Sequence, residues 1–181
     1  MPTPLPAGFQ LIIDLSVRYQ EGPISEVELA NYSKQARDAK KTDPALGLCA
    51  LGMIAAIKGN EREMRDYHER AITVSGEGVV YIFNYGSSLE IMGFRTEAFS
   101  WILRAVKADP GNLQFLNRMI WTAYTLNDNR LETFLGRWKK LRGEPHPVAE
   151  EIEDERDVAA ALASIETEGT ISWEDLRQEM Q

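Results

Sequence analysis

Residues 51–71, LGMIAAIKGNEREMRDYHERA, and residues 85–105, YGSSLEIMGFRTEAFSWILRA, decide the fold. Gly52 and Gly86 stand 34 residues apart, Leu51 and Tyr85 precede them, and Ala71 and Ala105 follow nineteen residues after each glycine. A 34-residue period is too long for one helix or strand, so it marks a supersecondary unit that stacks on copies of itself. Stacked units of this kind point to a binding scaffold before they point to any chemistry.

Outward from these stretches, apolar residues recur at spacings of three and four, and no segment alternates strictly enough for a half-buried strand. The pattern predicts an all-α chain. A first helix is expected over residues 9–19, broken by Gly22 and Pro23, and Ser25 with Glu28 forms a capping box opening a second helix to about Lys41. Asp43-Pro44 starts the next helix, and Gly59-Asn60 closes it with residues that tolerate the left-handed cap. Helices then follow over residues 61–74, 79–92, 95–107, 113–126 and 130–142, with turns at Gly76 and Gly78, at Gly93, at residues 109–112 and at residues 127–129. Residues 143–147, GEPHP, read as a linker, after which residues 148–166 and a capped segment through Gln178 are expected to be helical.

The spacing and identity of these residues resemble the tetratricopeptide repeat family, whose unit is a pair of antiparallel helices. Leu51, Gly52, Ala55 and Ala71 fall on the signature positions of one unit, and Gly86, Ala98, Ala105 and Pro110 on those of the next. In a third unit Ile120 takes the glycine's place, and Gly136 and Lys139 depart from the usual large apolar residue and alanine. The resemblance implies a superhelix of antiparallel pairs: residues 1–44 as N-terminal helices forming a degenerate repeat, residues 45–144 as three repeats, and residues 145–181 as a linker and an acidic helical tail. It also implies a concave groove lined by the first helix of each pair, here by Cys49, Met53, Ile57, Phe83, Ser87, Asn117, Trp121 and Tyr124. Such apolar and aromatic side chains suit a protein or peptide partner better than a carboxylate or a phosphate. Of the family's carboxylate clamp only Asn84 and Arg118 match, so that activity is not expected. Simple packing between helices is the alternative reading of Phe83, Trp121 and Tyr124.

Charge divides unevenly along the chain. Residues 1–143 hold 18 Lys+Arg against 16 Asp+Glu, a balance of +2, whereas residues 144–181 hold 2 against 12, a balance of -10. Residues 158–180, VAAALASIETEGTISWEDLRQEM, resemble the toxin-binding segment of bacterial addiction antitoxins of the RelB and Phd type. That resemblance rests on Ile171, Ser172, Trp173, Glu174, Asp175 and Leu176, and it implies a partner-binding tail anchored by Ile171, Trp173 and Leu176 on a basic toxin. A tail that caps the end of the stack is the alternative. So is a chaperone for secreted translocator proteins, which would bind through the groove, or a homo-oligomeric adaptor whose tail enters a neighbour's groove.

Other chemistry is thinly represented. The slight positive balance of the body lacks the basic footprint of nucleic-acid binding, and the cluster Arg130, Arg137, Lys139, Lys140 and Arg142 is expected to pair with the acidic tail. No phosphate loop, His-Glu-x-x-His pair or Gly-x-Ser-x-Gly elbow occurs. His68 reads as a packed helix residue, His146 as a linker residue, and the single Cys49 as a small apolar side chain. The expectation is therefore a non-enzymatic protein with no catalytic residues, no cofactor and no metal. With neither a signal peptide nor a membrane span readable in the sequence, a cytoplasmic location is expected.

Overall fold

The computed structural model describes residues 7–168, and these are helical apart from turns and short connections. Nine helices occur among them: α1 (Ala7–Gln20), α2 (Glu26–Thr42), α3 (Pro44–Ile57), α4 (Glu61–Val74), α5 (Val79–Ile91), α6 (Arg95–Ala108), α7 (Leu113–Thr125), α8 (Leu131–Arg142) and α9 (Pro147–Glu168). The chain divides into two compact units, residues 1–134 and 135–181, with the boundary inside α8. The expected last helix, through Gln178, lies outside the described residues.

Local signals account for the boundaries. Ser25 and Glu28 form the predicted reciprocal capping box at α2, and the Asp43 carboxylate accepts from the Leu46 amide at 3.1 Å while Pro44 opens α3. Asn60 departs from expectation. It does not share the left-handed cap with Gly59; its φ is -93°, and its side chain instead accepts from the Glu63 amide to start α4.

One C-terminal device recurs through the first unit. After α3, α5 and α7 the left-handed residues are Gly59, Gly93 and Asn127, with φ of 74°, 84° and 51°. Each terminus is closed by the same two backbone bonds: Asn60 to Ala55 with Gly59 to Ala56, Phe94 to Leu89 with Gly93 to Glu90, and Asp128 to Ala123 with Asn127 to Tyr124. These caps stand 34 residues apart, so the period reaches the end of α7 although Ile120 stands where α3 and α5 have Gly52 and Gly86.

Packing in the first unit follows the same rhythm. Adjacent helices pair antiparallel, α1 with α2, α3 with α4 and α5 with α6. The second helix of each pair then touches the first of the next, as α2 does α3, α4 does α5 and α6 does α7; α3 also packs on both α1 and α5. The two signature glycines stand at close approaches. A Cβ on Gly52 would lie 2.6 Å from His68 Cδ2 of α4, and one on Gly86 would lie 2.7 Å from Ile102 Cγ1 and 3.1 Å from Ile102 N of α6.

The core centres on α3, whose residues 45–56 are buried without interruption. Its sequence, PALGLCALGMIAAI, contains no charged or hydrogen-bonding side chain. A helix apolar on every side has no solvent face to present, and it is stable only when neighbours surround it. Helices α1, α2, α4 and α5 do so here.

Candidate functional site

The structure places the groove residues in two different environments. Cys49 and Met53, on α3, are 0% and 3% exposed and belong to one cluster with Leu11, Ile12 and Leu15 of α1. Ile57 packs against the same cluster. Burial raises the Cys49 thiol far above its ordinary pKa, which removes the thiolate needed for reactivity. Phe83 on α5 is also buried, stacked on Phe115 of α7 with ring centroids 4.4 Å apart. Ser87, one turn further along α5, is partly exposed, although its Oγ has no protein hydrogen-bond partner.

On α7 the environment changes. Asn117 is exposed, Trp121 and Tyr124 are half-buried, and the two rings meet edge to face at 6.3 Å. The opposite side of the helix, with Phe115, Leu116, Met119, Ile120 and Ala123, is built into the core. Amphipathic spacing thus leaves the aromatic pair half-buried on the side of α7 opposite its core face. Such rings offer large contact area at a small entropic cost, which suits a partner's side chains. Ile171, Trp173 and Leu176 of the expected tail site lie outside the described residues.

A carboxylate that the sequence did not single out joins α5 to α7. Glu90 is 18% exposed at its side chain, ion-paired with Arg118 Nε at 3.3 Å and in a short hydrogen bond with the Thr122 hydroxyl. Burial pushes its pKa upward, against the opposing influence of Thr122 and Arg118. Thr122 Oγ also lies 2.8 Å from the Arg118 carbonyl oxygen. The Thr122 hydroxyl thus has two acceptors in reach, the Glu90 carboxylate and that carbonyl, for its single proton. Nothing in the spacing around Glu90 distinguishes it from an ordinary surface glutamate, because its burial depends on the approach of α7. Arg118, a clamp-position match, is engaged by this pair, and Asn84 is tied to its own helix by a 2.8 Å bond to the Val80 carbonyl.

A second polar system crosses from the α3/α4 pair to the α5/α6 pair. Arg65 on α4 donates to both oxygens of Glu97 on α6, at 2.7 and 2.9 Å, and to the Tyr85 hydroxyl of α5 at 3.2 Å. Tyr85 stacks on His68 at 5.3 Å, and His68 Nε2 lies 2.8 Å from Ser88 Oγ. His68 is fully buried beneath Gly52, and desolvation lowers its pKa to about 3, so the ring is neutral. Its position against the partner helix agrees with the repeat register. The His68, Tyr85 and Ser88 end of this system is packed into the core, while Arg65 and Glu97 are partly exposed.

The basic cluster behaves differently from expectation in part. Arg130 pairs with Asp128 in its own turn, with two bonds at 2.8 Å, and lies over the Phe99 ring at 4.4 Å. Arg142 does meet an acidic residue of the C-terminal segment, Glu144, at 2.8 Å. Lys139 and Lys140 are exposed. On α9 the carboxylates of Glu150, Glu151, Glu153, Asp154, Glu155 and Asp157 are all at exposed positions.

Among the described residues no group of three or more His, Cys, Asp or Glu side chains is arranged to hold a metal ion. No helix among them is long and apolar enough to cross a membrane. Compared with models of known protein families the chain matches none, and no curated protein matches it in sequence.

Proposed function

We propose that this chain is a non-enzymatic protein-binding scaffold, a tetratricopeptide-like superhelix that holds a partner protein at the α7 surface and through its acidic C-terminal arm. The half-buried Trp121 and Tyr124 pair carries this reading, because it stands on a helix whose other side is anchored in the core. A fixed aromatic pair beside an exposed amide is a recognition surface for side chains of a folded or extended partner. The groove is therefore shorter than the repeat register implies: its α3 end, with Cys49 and Met53, is closed by α1.

The arm sets the chemistry of the partner. A segment at -10 over residues 144–181, with its described carboxylates exposed, is complementary to a basic protein surface. A toxin with a basic catalytic face meets that requirement. The arm would then occupy the place of substrate phosphates, with Ile171, Trp173 and Leu176 as apolar anchors, and the chain would act as an antitoxin.

Affinity capture from the native host followed by mass spectrometry identifies the partner, and two variants divide the surface. Deleting residues 145–181 should abolish capture, and W121A/Y124A should weaken it at least tenfold. Undiminished capture by the deletion variant rules out the arm. Capture lost only in W121A/Y124A assigns binding to the stack, the mode of a chaperone for secreted translocator proteins. If both variants bind as the parent does, the scaffold reading fails. Light scattering on the parent and the deletion variant tests the homo-oligomeric adaptor, since an arm that joins subunits leaves monomers when removed.

A further inference from the structure

The start of α9 is built around a histidine where α3 uses an aspartate. In Asp43-Pro44 the carboxylate accepts from the Leu46 amide; in His146-Pro147 the imidazole Nδ1 accepts from the Val148 amide at 3.2 Å, and the His146 carbonyl accepts from Ala149 at 2.8 Å. Both are N-caps followed by proline at the first helical position. Aspartate keeps its acceptor at any physiological pH, whereas an imidazole loses its acceptor when protonated.

His146 is also the contact between the cap and α8. It is 1% exposed, and its ring meets Trp138 edge to face at 4.8 Å, with Val148 fully buried beside it in sequence. The Trp138 indole N–H is buried there without an acceptor. We propose that His146 is a protonation-controlled latch on the acidic arm: neutral, it caps α9 and seats its first turn against Trp138; protonated, it gives up the cap and loosens α9.

Charges within this unit pull in both directions. Glu144, in the same segment, and Glu150, in the first turn of α9, are the nearby acidic residues in sequence, the sign of charge that favours an imidazolium. Arg142 opposes it: its guanidinium lies 5.9 Å from the Trp138 ring centroid and is paired with Glu144. The positive end of α9 opposes it too, and so does burial, which outweighs the rest and holds the His146 pKa below its ordinary value. The seated arm therefore prefers neutral His146. Its stability is fully present above the ordinary histidine pKa, about 6.5, and falls as pH drops from there toward the seated-state pKa.

That the latch serves partner capture rests on the arm reading above, but the latch itself is tested with no partner present. In full-length protein, an NMR titration of the imidazole C–H signals is read from about pH 8 to about pH 5. His68, whose pKa is about 3, stays neutral across that window, leaving His146 as the titrating ring. The His146 midpoint should fall below the ordinary value. Hydrogen exchange at Val148 and Ala149, corrected for intrinsic rates, should accelerate by up to about tenfold per pH unit below about pH 6.5. H146N, which keeps a cap acceptor that does not titrate, should remove that pH dependence. H146A should exchange faster than the parent at the upper end of the pH range. A midpoint at or above the ordinary value, or an undiminished pH dependence in H146N, overturns the latch.

Discussion

Helices α3 and α7 end in the same kind of left-handed cap, yet one is buried along residues 45–56 and the other on one side only. Both precede a left-handed cap at the repeat spacing, and both are expected from register to line a groove. In α3, residues 45–56 are buried and no polar side chain interrupts them; in α7 the buried residues alternate with exposed Asn117 and half-buried Trp121 and Tyr124. Equivalent positions in a repeat therefore share backbone geometry without sharing access to solvent. Helix α3 is enclosed by α1, α2, α4 and α5, whereas α7 buries mainly the side that carries Phe115, Leu116, Met119 and Ile120.

The sharpest way to break that comparison is to place the same charge on both helices. Met53→Asp puts a carboxylate at a 3% exposed site within an apolar cluster, and should cost about 4 kcal/mol in urea unfolding. Trp121→Asp, at the half-buried equivalent, should cost about 1 kcal/mol. Equal losses would show that α7 is as enclosed as α3. Glycines give a smaller contrast. Gly52→Ala drives a methyl into the His68 ring, which Ser88 and Tyr85 hold in place, and should destabilise by about 2 kcal/mol. Gly136→Ala, with nothing within 4 Å of the added carbon, should instead stabilise by about 0.5 kcal/mol through helix propensity. Thermal melts of the two variants on either side of the parent would confirm the difference.

Acid should act first on the α3 side. His68 has its pKa lowered to about 3 in the folded chain against about 6.5 when unfolded, so the unfolded state takes up the proton first. Its contribution is intact above about pH 6.5, and about 2 kcal/mol of it is lost by about pH 5. Urea midpoints across that range should fall in the parent and fall less steeply in His68→Gln. A parent curve that is already flat would mean that the ring is hydrated.

Much of the secondary structure was legible because its determinants are local. The Ser25 and Glu28 box, the Asp43 cap, the left-handed Gly59 and the turn at Gly93 each depend on a few neighbouring residues, and each occurs as the pattern predicts. Asn60 was misplaced because asparagine serves both a left-handed cap and an N-cap, and only the start of α4 one residue later selects between them. The burial of Cys49 and Met53 did have a signal, the absence of any polar side chain in α3, but register with the family outweighed it. Glu90 had no such signal, since its partners Arg118 and Thr122 lie 28 and 32 residues away.

The sequence by itself determined the period, the helix ends and the separation of an acidic arm from a nearly balanced body. Those properties follow from side chains acting on their own backbone and from charge, neither of which needs a partner helix. Only the tertiary structure decided that α3 is buried all round while α7 is buried on one side, why Gly52 must have no side chain, and that His146 caps α9 against Trp138. These depend on which surfaces meet, and the same apolar residue is core or binding surface according to whether another helix covers it.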